Sequence, residues 1–243
     1  MTLSGKLAVV TGGSRGIGYQ IAKIFLENGA SVLSVARDAT RLEQAKNELP
    51  GLLTLQADVS VAEDVEKAAE WVSSQWGHLD ILINNAGISP QQGADLIGQE
   101  DEVFESTLRV NTIGPYICTK RFLPLLEKSE DPRVINIGSI TGIMSPRLSG
   151  IYGVSKAALH ALTIAFSNTL KGKVAVNGMS PGLVKTDMAP NATGDPRQSA
   201  ESALWLLQQP KDVTGRFFRY GAEVGWAPME IVEELASMTR TNE

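Results

Sequence analysis

The composition of this 243-residue chain, with 43% apolar and 20% charged residues, is that of an ordinary globular protein. The net charge of −5 argues against a nucleic acid or an anionic membrane surface as a partner, because both attract basic proteins. Cys118 is the only cysteine, which excludes an internal disulfide and fits a reducing compartment. The first apolar run, residues 7–10, is too short for a secretory signal or a membrane span, so we expect a cytoplasmic protein.

Short apolar runs alternate with stretches of helical periodicity along most of the chain. The apolar runs predict strands at residues 6–10, 31–35, 52–56, 81–83, 134–137, 174–176 and 216–220. The periodic stretches predict helices at residues 17–28, 40–48, 61–76, 102–126, 152–170, 200–207 and 231–236. We expect Pro115 and Pro124 to bend or end the long fourth helix. This alternation predicts one α/β domain over residues 1–243, with a parallel sheet covered by helices on both faces.

A glycine-rich segment, residues 11–18, lies between the first strand and the first helix. Gly12, Gly16 and Gly18 permit a tight turn and let a pyrophosphate approach the backbone and the helix N-terminus. Their spacing differs from the common dinucleotide pattern Gly-x-Gly-x-x-Gly, and a plain strand-to-helix turn is the alternative. The position after the first strand of an alternating chain favours a phosphate loop.

The residues after the second strand bear on the choice of cofactor. An acidic residue there would hold the 2′-hydroxyl of NAD, whereas an arginine suits the 2′-phosphate of NADP. This chain has Ala36 followed by Arg37, and Arg15 in the glycine loop adds a second guanidinium. We therefore predict a preference for NADPH/NADP⁺ over NADH, and we interpret Asp38 as the N-cap of the next helix.

Tyr152 and Lys156 are four positions apart, which places them on one face of a helix. A free phenol has a pKa of about 10, and a neighbouring ammonium is expected to lower it so that the phenol can exchange a proton at neutral pH. Ser139 could hold the same substrate oxygen from a second direction. The alternative is a surface tyrosine and lysine on an ordinary helix, since such pairs are common by chance.

Over residues 5 to about 190 the chain resembles the short-chain dehydrogenase/reductase family, in its single-domain branch. The resemblance rests on six motifs in the family's order: the glycine loop, residues 84–87, Asn111, Ser139, residues 152–156 and Pro181–Gly182. It implies an NAD(P)-dependent oxidoreductase with a Rossmann-like, doubly wound parallel sheet of seven strands. The segments 202–206, 214–218 and 225–226 are similar to carbonyl-reductase-like members. An insertion that some monomeric members carry before the catalytic tyrosine is absent, so homodimer, homotetramer and monomer all stay open.

The resemblance also implies roles for individual residues. Tyr152 is the catalytic acid/base, Lys156 lowers its pKa and contacts the nicotinamide ribose, and Ser139 positions the carbonyl. Asn111 would hold a water that feeds protons to Lys156, although it could simply bond to backbone. Asp58 would contact the adenine, although it could cap the following helix. The implied cofactor-binding residues are Gly12, Ser14, Arg15, Gly16, Ile17, Gly18, Arg37, Asp58, Val59, Asn85, Ala86, Gly87, Tyr152, Lys156, Pro181, Gly182, Val184 and Thr186.

The predicted activity is NADPH-dependent reduction of ketones or aldehydes by hydride transfer, with a tyrosine as general acid. The alternatives are an alcohol or steroid dehydrogenase working in the oxidative direction and a non-catalytic NADP-binding sensor. A pocket lined by residues 88–92, 140–148 and 183–188 would favour uncharged, moderately apolar carbonyl compounds, with residues 183–200 as a substrate loop. Neither His78 nor His160 belongs to a metal-ligand spacing, so we predict no metal. The partners expected are a small carbonyl compound and further copies of the chain.

Overall fold

An eight-stranded sheet forms the centre of the structure, a computed structural model that describes residues 3–90, 96–144 and 150–225. Its strands are β1 Leu7–Thr11, β2 Ser31–Ala36, β3 Leu53–Gln56, β4 Ile81–Asn84, β5 Arg133–Ile137, β6 Ala175–Ser180, β7 Phe217–Arg219 and β8 Ala222–Glu223. They are arranged in the order β3-β2-β1-β4-β5-β6-β7-β8, and β1 to β7 are all parallel. The order reverses between β1 and β4, as in a Rossmann-like doubly wound fold.

The predicted fold class is confirmed, and the strand count differs by one short element. β8 has two residues and pairs antiparallel with β7. Tyr220 and Gly221, which join the two strands, have φ values of +50° and +78°. A two-residue hairpin turn of type I′ has this left-handed backbone at both central positions, which Gly221 adopts without strain and Tyr220 does not.

Helices cover both faces of the sheet. They are α1 Gly16–Glu27, α2 Ala39–Glu48, α3 Ala62–Trp76, α4 Asp101–Leu108, α5 Gly114–Leu126, α6 Thr141–Met144, α7 Gly150–Thr169 and α8 Pro196–Leu207. Successive strand residues point to opposite faces. Val10 and Ile83 therefore join a core with α1 and α8, while Val9 and Leu82 join a second core with α3 and α5. Among the described residues, no helix combines the length and apolar character needed to cross a membrane.

The long helix predicted at 102–126 is interrupted. α4 ends at Leu108, a π-helical turn spans Arg109–Ile113, and α5 begins at Gly114. Pro115 has no N–H to donate to the Asn111 carbonyl, which removes one α-helical bond at this point. Gly114 N–H bonds instead to the Arg109 carbonyl, five residues back. Pro124 lies inside α5, which continues to Leu126.

Two other elements are longer than predicted. β6 continues to Ser180 through Asn177 and Gly178, which lack the apolar side chains that marked its start. α8 begins at Pro196, with the Asp195 side chain accepting a bond from the Arg197 N–H. The predicted helix at 231–236 lies outside the described residues.

Candidate active site

A crevice of about 610 Å³ opens at the carboxyl ends of the central strands, where the strand order reverses. Open α/β sheets bind ligands at this position. Its walls come from the glycine loop, the ends of β2, β4 and β5, helix α7 and the segment after β6. The predicted residues that line it are Gly12, Ser14, Arg15, Gly16, Ile17, Gly18, Arg37, Asp58, Val59, Asn85, Ala86, Gly87, Tyr152, Lys156, Pro181 and Thr186.

The glycine loop makes a turn that other residues would not fit. Gly12 and Gly16 have φ values of +67° and +56°. A Cβ atom at Gly18 would lie 2.4 Å from the Gly12 carbonyl oxygen, and one at Gly12 would lie 2.9 Å from the Ala86 Cα. Arg15 is the N-cap of α1 and makes no side-chain capping bond. The first N–H groups of α1 therefore face a pocket suited to an anion.

The segment after β4 is bonded to the glycine loop. The Thr11 hydroxyl accepts bonds from the N–H groups of Asn85 at 3.0 Å and Ala86 at 3.1 Å. The Asn85 amide donates to the carbonyls of Thr11 at 2.8 Å and Gly12 at 3.2 Å. These bonds fix the backbone of two crevice walls relative to each other.

Charged residues surround the outer end of the crevice, beyond β2. Arg37 Nη1 lies 3.5 Å from Asp58 Oδ2, and Asp58 Oδ1 accepts bonds from the N–H and hydroxyl of Ser60. Burial raises the pKa of Asp58, but the bonds from Ser60 and the charge of Arg37 outweigh burial and hold it below its ordinary value. α3 begins only at Ala62, so Asp58 caps the turn before that helix. Asp38 is the N-cap of α2, as predicted, and accepts from the Arg41 N–H.

Tyr152, Ser139 and Lys156 converge on the inner end of the crevice, where β5 meets α7. Tyr152 and Lys156 line the crevice, and the Ser139 side chain is hydrogen-bonded to the Tyr152 phenol. The buried Lys156 donates to the Ile137 carbonyl at 2.8 Å, and its Nζ lies 5.7 Å from the centre of the Tyr152 ring. The Ser139 hydroxyl also bonds to Thr141, at 2.9 Å from its hydroxyl and 3.2 Å from its N–H.

The sequence predicts that Lys156 lowers the pKa of Tyr152, but in the structure burial of the two side chains has the larger effect on both pKa values. Burial raises the pKa of Tyr152, and the bond with Ser139 offsets this only in part. Burial also lowers the pKa of Lys156 to about 8, which leaves the lysine mostly protonated at neutral pH. The phenol is therefore protonated at neutral pH, the state required of a proton donor.

Asn111 lies in the π-helical turn and is fully buried. Its amide donates to the Ile88 carbonyl at 2.8 Å and to the Ser155 hydroxyl at 3.0 Å, and its oxygen accepts from the Ile88 N–H at 2.8 Å. The predicted alternative of a backbone-bonded asparagine therefore describes most of its contacts. Its oxygen would lie 3.3 Å from a Cβ atom at Gly87, and Lys156 Nζ would lie 3.7 Å from the same atom. The water-holding role of Asn111 stays a prediction.

Two predicted cofactor residues lie beside the crevice. Val184 is buried and pairs with Gly194 in an isolated bridge. Gly182, with φ of +79°, packs against the Tyr220 hydroxyl, which a Cβ atom would meet at 1.7 Å. Of the predicted substrate pocket, Ile88 and Met188 line the crevice, whereas residues 91–92 and 145–148 lie outside the described residues.

Three residues near the site had no individual role predicted for them. Arg41 lines the crevice from the first turn of α2, four positions after Arg37 in the sequence. His160 accepts a bond from the Ser139 N–H at 3.3 Å, and its spacing of four from Lys156 was the available signal. A Cβ atom at Gly142 would lie 2.6 Å from the backbone nitrogen of Ala157, so this glycine allows α6 to approach α7.

These residues fit a nicotinamide dinucleotide. The glycine loop and the N-terminus of α1 would hold its pyrophosphate, and Asp58 and Val59 lie where its adenosine would contact the wall. When bound, the nicotinamide supplies or accepts a hydride. The chain itself holds a proton on the Tyr152 oxygen beside Ser139. Within the described residues, no group of three or more histidine, cysteine or acidic side chains forms a metal site.

Residues 6–197 match the short chain dehydrogenase family. Farnesol dehydrogenase of Aedes aegypti is 32% identical over 229 residues, covering 86% of this chain and 93% of that protein. A rhamnolipids biosynthesis 3-oxoacyl-(acyl-carrier-protein) reductase of Pseudomonas aeruginosa is 38% identical over 212 residues, covering 83% and 82%. The structure of an NADPH-bound carbonyl reductase from chicken fatty liver superposes with a TM-score of 0.84 at 26% identity, covering 92% of this chain and all of that one.

The match covers most of the chain and includes every wall of the crevice. The serine, tyrosine and lysine predicted from the motifs stand together within it, next to a loop built for a dinucleotide. The chain therefore belongs to the short-chain dehydrogenase/reductase family of oxidoreductases.

Proposed function

We propose that this protein is an NADPH-dependent reductase that converts uncharged ketones or aldehydes to alcohols. The observation that carries the proposal is the convergence of Ser139, Tyr152 and Lys156 at the inner end of the crevice. A carbonyl compound seated between the nicotinamide and Tyr152 would place its oxygen within reach of a serine hydroxyl and a protonated phenol.

Each of the three side chains has a distinct part in this reaction. The Ser139 hydroxyl orients the carbonyl oxygen, and Tyr152 donates its proton to that oxygen as negative charge develops on it. The raised pKa of the phenol keeps that proton in place at neutral pH. Lys156 is held by the Ile137 carbonyl and brings a positive charge near the phenolate that remains.

The preference for NADPH rests on guanidinium groups at the outer end of the crevice. Arg15 and Arg37 both line this end, and no acidic side chain stands at position 36, where the sequence has alanine. Guanidinium groups match phosphate geometry and charge. The NADPH in the carbonyl reductase from chicken fatty liver agrees with this proposal.

The proposed substrate class rests on apolar side chains of the crevice and of the segment after β6. Ile88 and Met188 line the crevice, and Leu183, on the segment after β6, is 73% exposed. Such apolar groups favour uncharged carbonyl compounds of moderate size.

The test is NADPH oxidation against a panel of ketones, aldehydes and diketones, with NADH as the comparison. Tyr152→Phe should lower kcat by about 10²–10⁴-fold, the usual range for a general acid, with the Kd for NADPH unchanged. Tyr19→Phe, which removes a hydroxyl that bonds to Glu48 and does not line the crevice, is the matched control and should retain wild-type kcat. Near-normal turnover by Tyr152→Phe would refute the assigned acid.

Oxidation of an alcohol is the second candidate, because the relative from Aedes aegypti is named a farnesol dehydrogenase. Initial rates with NADP⁺ and a panel of primary and secondary alcohols, compared with the reductive rates, distinguish the two directions. The absence of turnover in both directions, with NADPH still bound, would favour the third hypothesis of a nucleotide sensor.

We also propose that the chain forms a homodimer through α5 and α7. The exposed Tyr116 of α5 stacks on Phe166 of α7, with 6.0 Å between ring centres, so the two helices present a shared aromatic surface. Sedimentation equilibrium tests this proposal, and a monomer at all concentrations would refute it.

A further inference from the structure

One carboxylate at the outer end of the crevice accepts hydrogen bonds from two arginines. Asp187 Oδ2 accepts a bond from Arg15 Nη1 and a second from Arg41 Nη1, the latter at 3.0 Å. Arg41 Nε also lies 3.3 Å from Asp38 Oδ2. All four side chains line the crevice. Guanidinium groups bind phosphate oxygens as well as carboxylate oxygens, so a position at which two of them converge also suits a phosphate.

The three partners come from different parts of the fold. Arg15 is in the glycine loop at the N-cap of α1, and Arg41 is in the first turn of α2. Asp187 follows Thr186, whose methyl group would lie 3.3 Å from a Cβ atom at Gly16. The carboxylate therefore connects the segment after β6 to the opposite walls of the crevice.

The ion pairs of Asp187 are exposed to solvent, so another anion can replace the carboxylate. The side chains of Arg15, Arg41 and Asp187 are 55%, 39% and 63% exposed. Ion pairs in such positions are weak and are screened by salt. A phosphate monoester carries a charge of about −1.5 to −2 at neutral pH and has three acceptor oxygens, so it can displace a single carboxylate.

Asp187 keeps its charge across the pH range of interest. The bonds from Arg15 and Arg41 hold the pKa of its carboxyl below the ordinary value. The carboxylate therefore competes with any anion for the same two guanidinium groups at neutral pH.

We propose that Arg41 is a cofactor-specificity residue that binds the 2′-phosphate together with Arg15, and that Asp187 is an internal anion that this phosphate displaces. The inference rests on the proposed use of NADPH and identifies the residues that set it. If so, binding of NADPH breaks the contacts that Asp187 makes with the two arginines and frees the segment that carries it. NADH lacks the 2′-phosphate and leaves these contacts in place.

The test measures the Kd of NADPH and NADH by fluorescence titration at low ionic strength. Asp187→Asn removes the competitor, so its Kd for NADPH should fall about three- to tenfold and its Kd for NADH should stay within twofold. The matched control is Asp195→Asn, which removes the same charge from the same segment outside the crevice. Asparagine is as good an N-cap as aspartate, so α8 should be unaffected.

Arg41→Gln should change the Kd for NADPH in the opposite direction. Its Kd for NADPH should rise about tenfold, the cost of one charge-assisted bond, with the Kd for NADH unchanged. The control is Arg197→Gln, since Arg197 pairs with Glu27 away from the crevice.

The outcomes separate this inference from the proposed function. A wild-type protein that binds NADH as tightly as NADPH overturns both. A wild-type preference for NADPH that neither Asp187→Asn nor Arg41→Gln alters overturns this inference alone. Equal effects of Asp187→Asn and Asp195→Asn would show only a general charge effect and would also overturn it.

Discussion

His160 offers the sharpest test of how the site is held together. Its ring is buried between Gly138, Phe217 and the Lys156 turn of α7, with 4.3 Å between the centres of the imidazole and the Phe217 ring. Nε2 accepts the Ser139 N–H at 3.3 Å. Burial, with the charge of Lys156 adding to it, lowers the pKa of His160 to about 4. The folded protein therefore contains a neutral imidazole at neutral pH.

The size of the effect follows from linkage between protonation and folding. An unfolded histidine has a pKa of about 6.5, so between pH 6.5 and 4 the unfolded chain binds more protons than the folded one. The contribution of His160 to stability is complete above pH 6.5 and is lost as the pH falls toward 4. At 1.36 kcal/mol per pH unit, the loss between pH 6.5 and 5 is about 2 kcal/mol.

The perturbation is His160→Gln, whose amide oxygen can replace Nε2 as an acceptor but does not titrate. The free energy of unfolding in urea should be measured at pH 6.5 and at pH 5. Its decrease between these two pH values should be about 2 kcal/mol smaller for this variant than for the wild type. Equal pH dependence of the wild type and His160→Gln would refute the reasoning.

The same residue should affect catalysis through Ser139. His160→Leu leaves the Ser139 N–H without its acceptor, a cost of about 1–3 kcal/mol when the group is buried. A displaced Ser139 should lower kcat about tenfold or more with the Kd for NADPH unchanged, whereas His160→Gln should stay within about threefold of the wild type. A loss of NADPH binding in step with kcat would indicate a general disturbance and contradict this role.

Two further substitutions test the packing and the charge of the fold. Gly142→Ala should cost about 1–3 kcal/mol in urea unfolding and lower kcat, because the new methyl would meet backbone atoms of Lys156 and Ala157 at 2.7 and 2.6 Å; unchanged values of both would contradict it. Burial raises the pKa of Asp80, but bonds from Ser129, a backbone N–H and Lys6 hold it below its ordinary value. Its stabilisation is therefore present above about pH 4 and is lost as the pH falls through the folded pKa, so Asp80→Asn should flatten the acid limb of stability against pH; an unchanged limb would exclude this role.

The fold was predictable because most strands are short buried runs bounded by chain-reversal signals. The interruption in the helix at 102–126 was not, since periodicity of 3.6 does not distinguish α-helix from a single π-helical turn. Pro115 indicated where the helix is interrupted, but not that the interruption is a π-helical turn. The end of β6 was missed for a related reason: Asn177 and Ser180 are polar but buried, and Asn177 is satisfied by the Val213 carbonyl at 2.7 Å.

The site was predictable where the chemistry itself requires a residue type, as for Tyr152, Lys156 and Ser139. Arg41, His160 and Gly142 act through contacts between distant segments, which a single sequence does not display. The direction of the Tyr152 pKa was wrong for the same reason, because the spacing to Lys156 was visible but the burial of both groups was not.

The candidate cofactor-binding residues and the candidate catalytic residues lie on different elements of the fold. The glycine loop and the arginines stand on β1, β2 and the helices that follow them, whereas Ser139, Tyr152 and Lys156 stand on β5 and α7. α7 is bonded to the end of β5 through Lys156 and His160, and to the π-helical turn through the Asn111–Ser155 bond. A change transmitted along α7 should therefore alter kcat more than cofactor affinity, whereas changes at Arg41 or Asp187 should do the reverse.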